Sequence, residues 1–279
     1  MNTITIQPIE GITTLQLNEL LIACSLEALC LQEADYPPVI YFPFENILQA
    51  AHVPTDHQTH CPYKGEARYF SVREQENKAW IYYDPLKTVS PIGKHVAYYS
   101  DVGTIETVRV SAPPEKAKEI LTFWFEETPP EKHYKRDDDF DAIIRDRFGE
   151  VFEHAAQKKL EDWQHHPQSL LALIILLDQF SRNIFRNDPR AFAQDEQARA
   201  YTKFAAQNGF DLALPPTQRA FLYLPLMHSE NLTDQNQCVA LFQDHLPGSM
   251  NMSYALSHRA DIHQYGRFPY RDDVLKREN

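Results

Sequence analysis

Apolar positions recur with two different periods along this chain, and the change falls near residue 111. Before it, short runs of β-branched and aromatic residues appear at 21–24, 28–31, 39–42, 67–72, 78–83, 95–99 and 107–110. Pro37 and Pro38, Asn77, Pro85, Pro91, Gly93 and Gly103 punctuate them. Short alternating runs bounded by turn formers predict an antiparallel sheet or small barrel. Residues 44–51 are expected to form one or two helical turns.

From residue 115 the period is helical. Ala117, Ile120, Leu121 and Trp124 share one face. Phe140, Ile143, Ile144, Phe148 and Val151 share another, behind Asp137, Asp138 and Asp139, an acidic start that suits a helix N-terminus. Asp195 is expected to cap a helix ending at Gly209, and Thr217 to open one bent at Pro225. Thr233 opens another that stops at Pro247 and Gly248. Residues 249–264 read as the last helix, closed by Gly266. Short loops between about six or seven antiparallel helices predict a helical bundle or array. Pro113 and Pro114 cannot continue a strand ladder but suit the first turn of a helix. The fold class is therefore α+β multidomain, with domains at 1–112 and 113–279.

The net charge of −12 narrows the partners. Residues 1–110 carry 7 Lys and Arg against 13 Asp and Glu, and the rest 20 against 26, so each part bears −6. With no basic half, neither nucleic acid nor an anionic membrane is expected as a partner. The longest apolar run, 170–177, is far shorter than the ~20 residues of a membrane span. The N-terminus has no basic or long apolar leader region, so a cytoplasmic location is expected. Cys24, Cys30, Cys61 and Cys238 form no Cys-x-x-Cys pair and read as free thiols. Glycine is scarce, 8 in 279, and none sits in a phosphate-cradling pattern. No cofactor and no metal is expected.

Two stretches carry reactive groups in apolar surroundings. The first is Thr59, His60, Cys61, Pro62, Tyr63, Lys64 and Gly65, read as a shaped loop. Lys64 near Cys61 would favour a thiolate. The alternatives are a small-molecule pocket with Tyr63 and Lys64, or a packed Cys61 with Lys64 in solvent or paired to Glu66 or Asp56. His57, His60 and Cys61 also have ligand-like spacing but lack a distant fourth group. In the second stretch Asp178, Arg182 and Arg186 fall at i, i+4 and i+8 and are expected on one face of a buried helix. Gln179 and Asn183 form a neighbouring row. Buried arginines need carboxylate or ligand partners; Asp178 and Glu230 are candidates, and His228, Arg267 and Arg271 are candidates to converge there. Phe123, Trp124, Phe125 and Trp163 read as core.

Both parts resemble known bacterial families. Residues of about 12–105 resemble domain-of-unknown-function family 427, through Tyr36 to Pro43, Pro54 and Thr55, Cys61 to Gly65, Tyr69, Trp80 and Tyr83 to Pro85. Residues of about 116–279 resemble family 924, through Phe123 to Phe125, Trp163, Leu176 to Phe180, Arg182, Asn183, Arg186, Arg190 to Phe192, Phe221 to Pro225, His228 to Glu230, Gln235, Gly266 to Pro269 and Arg271. Ser181 stands where the second family usually has proline. The resemblance implies a β-tent-like first domain, a tetratricopeptide-like second domain and a bacterial origin. It implies no activity.

Two function classes remain. The first is a binding or adaptor protein with a small-molecule site and an arginine-lined anion pocket in the helical domain, taking a small anionic ligand or a protein partner. The second is an enzyme on a small anionic metabolite. There Arg182, Arg186 and Arg267 would orient the substrate, with His228 as acid/base and Glu230 orienting it, or Cys61 would be the nucleophile beside Lys64.

Overall fold

The alternating runs pair into two antiparallel sheets in a computed structural model of the chain, which describes residues 3–277. The expected domain limits at 1 and 279 lie outside the described residues. The chain divides into two units, Met1–Val110 with Leu212–Pro215, and Ser111–Asp211 with Pro216–Asn279.

Among the described residues the first unit has ten strands: β1 (Ile4–Pro8), β2 (Ile12–Leu17), β3 (Leu20–Ser25), β4 (Leu29–Glu33), β5 (Val39–Pro43), β6 (His52–Cys61), β7 (Gly65–Val72), β8 (Gln75–Ile81), β9 (His95–Tyr98) and β10 (Thr104–Val108). The larger sheet runs β1-β4-β5-β9-β8-β7-β6 and the smaller β10-β2-β3. Burial alternates along the first half of β7, with Ala67 and Tyr69 inside and Glu66 and Arg68 outside. The inward residues join Leu31, Tyr41, Tyr82, Val89, Ile92 and Ala97 in one core. Two short 3-10 turns, Phe44–Asn46 and Gln49–Ala51, follow β5.

Strands β1, β2 and β6 are absent from the sequence expectation. β6 is polar and largely exposed along its length and lies at one edge of the sheet, so it has little apolar face to reveal it. Residues 59–65 are accordingly not a free-standing loop. Cys61 pairs with Gly65 across the β6–β7 hairpin, and Gly65 takes the positive φ of 105° that this turn uses. His57 packs on Tyr69 with ring centroids 4.5 Å apart, and His60 meets Glu66.

The second unit contains α1 (Glu115–Thr122), α2 (Asp138–Ala156), α3 (Pro167–Ile174), α4 (Ser181–Ile184), α5 (Asp195–Gln207), α6 (Pro216–Met227), α7 (Leu232–His245), α8 (Asn251–Tyr265) and α9 (Asp272–Leu275). A π turn, Ile175–Phe180, joins α3 to α4. Residues 170–177 are all without exposure, as an all-apolar segment requires. Their neighbours are aromatic: Phe180 lies 5.4 Å from Trp124 and 5.0 Å from Phe148 between ring centroids. Asp137 caps α2 by accepting from the Phe140 amide, and Gly266 ends α8 at φ 68°. Two expectations are corrected. Asn231, not Thr233, caps α7, through the Thr233 amide. Asp195 makes no side-chain cap on α5, because its carboxylate is drawn to an arginine instead. No described helix is long and apolar enough to cross a membrane.

His52, at the start of β6, carries a pH dependence. Its Nδ1–H donates to Leu48 O at 2.8 Å and its Nε2 accepts from the Tyr98 hydroxyl at 2.9 Å, a pattern that suits the neutral ring. Burial lowers its pKa from 6.5 to about 4. The unfolded chain therefore takes up a proton that the folded chain refuses, and stability present above pH 6.5 is lost as pH falls toward 4. Between about pH 6.5 and about pH 4.5, denaturant melts should show the wild type losing about 2–3 kcal/mol more than His52→Gln. Equal losses would contradict this.

Candidate functional site

The π turn brings a buried carboxylate to the end of another helix. An extra residue in the turn re-aims the side chains that follow, and Ser181 closes onto Leu177 O at 2.7 Å. Asp178, within the turn, has no exposure. It faces His228, which follows α6 and whose amide still donates to Leu224 O at 2.8 Å. His228 Nδ1 lies 2.9 and 3.0 Å from the two Asp178 oxygens. An ionised carboxylate only accepts, so Nδ1 carries the hydrogen and Nε2 is left as the basic nitrogen.

Three further groups hold Asp178 in place. Gln179 Nε2 donates to Oδ2 at 2.5 Å. Arg182 Nη2 lies 3.3 Å from Oδ1, and Nη1 donates to the Asp178 carbonyl at 2.5 Å. Arg182 also reaches both oxygens of Asp195, at 3.1 and 3.2 Å. Arg271 completes the network. Its Nη2 donates to His228 O at 3.0 Å and its Nη1 is 3.5 Å from Asp195, while the guanidinium stacks on Phe192 and Phe268, each at 4.7 Å. Burial by itself would push the Asp178 carboxyl up. The charges of Arg182 and His228 and the hydrogen bonds from His228 and Gln179 outweigh it and hold the group well below the usual carboxylate range. Burial pushes Asp195 upward, with Arg182 opposing it.

A cavity of about 740 Å³ opens beside this network, lined by Gln179, Arg182 and His228, by His133 and His258, and by Tyr134, Leu224, Met227, Met250 and Tyr254 among others. His133 Nε2 donates to Trp124 O at 2.9 Å, and His258 Nδ1 to Met227 O at 3.1 Å. Burial lowers the pKa of both rings. Each of the three histidines thus donates from one ring nitrogen into the fold and keeps the other as an acceptor. His228 also lines a second cavity of about 310 Å³ with Asp195, Arg199, Glu230, Arg271 and Arg277.

Asp178, Gln179, Arg182, His228 and Arg271 come together; other sequence candidates do not. Arg186 lies beyond α4, where Phe185 leaves the helix at φ −114°, ψ 38°. It does not share a face with Asp178. It pairs with Asp141, which also accepts from Asn183 Nδ2 at 2.8 Å. Glu230 does not orient His228: it accepts from the Phe268 amide at 2.9 Å and from Arg277 at 2.9 and 2.7 Å. Burial would raise its pKa, but Arg277 and the Phe268 amide bring it below the usual value. Arg267 lines neither cavity and pairs with Asp272 at 3.0 Å.

Cys61, Tyr63 and Lys64 belong to the first unit. Tyr63 is exposed. The Lys64 ammonium is engaged by Glu33, not by Glu66, Asp56 or solvent. Asp195, Asp141, His133 and His258 are site residues that sequence reasoning passes over. The only local signal among them is the acidic residue at the start of α5, which equally suits a cap.

A family model described as a bacterial protein of unknown function, DUF924, matches residues 120–279, more than half of the chain. The chain belongs to that family. A second model, described as a domain of unknown function, DUF427, matches residues 5–111, so the chain joins a DUF427 domain to a DUF924 domain. A solved structure of a protein of unknown function from Agrobacterium tumefaciens is similar at 36% identity and a TM-score of 0.56, covering 59% of this chain and 92% of that one. No curated protein matches the chain.

The network makes an energetic prediction for the DUF924 domain. Arg182→Ala leaves two buried carboxylates, Asp178 and Asp195, short of their shared counter-ion and should cost about 3–5 kcal/mol in a denaturant melt. A cost under about 1 kcal/mol would show that the pairs are dispensable.

Proposed function

We propose that the helical domain binds a small organic molecule in the larger cavity and that His228 acts there as general base and acid. One observation carries the reading: a fully buried Asp178 holds His228 by Nδ1 at the wall of a cavity of about 740 Å³. That arrangement fixes ring orientation and tautomer and leaves Nε2 to take a proton from a bound molecule and return it. Tyr134, Tyr254, Leu224 and the two methionines favour an apolar or aromatic body. The three imidazole acceptors favour hydroxyl or N–H groups on it.

The anion-pocket version has weaker support. Arg182 and Arg271 are matched by Asp178 and Asp195, so these four charges cancel. A ligand carboxylate would have to compete with both aspartates for Arg182. A thiol mechanism at Cys61 has less still, since Lys64 is committed to Glu33. The consecutive helices α5 to α8 support the tetratricopeptide-like arrangement implied by the resemblance, and the two antiparallel sheets support the β-tent-like one.

A metabolite library screened by thermal shift tests the reading. Molecules that stabilise the wild type should lose most of that stabilisation in Tyr254→Ala, a rim substitution at a residue 62% exposed. Among them, at least one should be chemically altered by the wild type and, in His228→Gln, turn over more slowly by about 10²-fold or more. Hits that bind the cavity but emerge unchanged from both proteins would leave a binding site and remove the acid–base role.

A further inference from the structure

The sheet domain holds a second chemically distinct cavity. It measures about 240 Å³, is lined mainly by aromatic rings, and has the Lys64–Glu33 ion pair in its wall. The rings lie on the face of the larger sheet. Tyr41 comes from β5, Tyr69 from β7 and Trp80 from β8, with Tyr82 just past it. These deep rings are well covered, Tyr41 to 1% and Tyr82 to 6% exposure, while Tyr36 and Tyr99 stand at the mouth with 64% and 46%. Trp80 meets Tyr41 edge-to-face at 89° and Tyr99 at 59°, so ring planes in several orientations surround the space. The volume suits a group of one ring, or two small ones.

We infer that this cavity is a binding site for a flat, uncharged ring carrying an amide edge, an N–H beside a C=O. The charges decide the class. The side chains of Lys64 and Glu33 are only 11% and 18% exposed, so each largely cancels the other inside a poorly solvated space. A cation is drawn to the π-faces and to Glu33 but repelled by Lys64. An anion is drawn to Lys64 but meets Glu33 and the negative ring faces. A neutral amide edge meets neither repulsion. Its carbonyl accepts from the Lys64 ammonium, which has three N–H groups, and its N–H donates to the Glu33 carboxylate, which accepts several hydrogen bonds. The ring itself stacks against the aromatic walls, and Tyr36, outside the core, is placed to cover it. The indole N–H of Trp80 already bonds to Tyr41, which leaves the ion pair as the principal polar recognition element.

Titration of the full chain with 2-pyridone, followed through the indole N–H signals of its 3 tryptophans, tests the site. The Trp80 signal, assigned by its loss in Trp80→Phe, should shift saturably. N-methyl-2-pyridone, which keeps the ring but lacks the donor, should bind at least about tenfold more weakly, because it leaves the carboxylate's added acceptor site unused. Tyr36→Ala, an exposed substitution that spares the core, should weaken 2-pyridone several-fold. Absence of a saturable Trp80 shift in the folded protein would overturn the inference. So would equal binding of the N-methyl ring, or tighter binding of tetramethylammonium or benzoate.

Discussion

A carboxylate with no solvent contact can stay ionised only if several donors converge on it. At Asp178 those donors are His228, Gln179 and Arg182, and most of the second unit's polar architecture follows from satisfying them. Arg182, once buried, needs more than one acceptor and recruits Asp195 from α5. Asp195 in turn meets Arg271, whose other amino group donates to the backbone carbonyl of His228. The ring that contacts Asp178 is thus secured again through its own main chain. The network ties the π turn, the end of α6, the start of α5 and the segment before α9 into one unit. It also sets the chemistry, since an imidazole tied down at Nδ1 has only Nε2 left to work with.

The first unit solves a related problem on a smaller scale. Lys64 sits in the turn of the β6–β7 hairpin, and its side chain is largely buried among aromatic rings. It finds Glu33 at the end of β4. Removing either partner would leave a charge in an aromatic wall, so the pair specifies how the turn lies against the sheet. In both units the polar groups that matter are the ones that could not be left in water, and each is matched one-for-one before any ligand is considered.

Much of this was legible in the chain. Strands with one buried face, such as β7, announce themselves by alternation, and residues 170–177 announce a buried helix by being apolar throughout. Edge strands do not: β6 is bathed by solvent along most of its length and reads as polar sequence. At the site, Asp178, Arg182 and His228 stand out because ions beside a long apolar run demand partners. The partners themselves are hidden. A regular helix would align Arg186 with Asp178, but the π turn and the helix end at Ile184 send it to Asp141. Asp195 begins α5, where an aspartate normally serves the backbone, yet a buried guanidinium outcompetes the amides. His133 and His258 have no sequence context that marks them; only the fold gives them a common cavity.

The central claim is that Asp178 fixes His228 with its hydrogen on Nδ1 and its lone pair on Nε2. Nitrogen-15 NMR of the His228 ring, recorded at a pH where the ring is neutral, reads this directly. The expected result is a protonated Nδ1 hydrogen-bonded to a carboxylate and an unprotonated Nε2, with the preference weakened in Asp178→Asn. A hydrogen on Nε2 in the wild-type protein would contradict it.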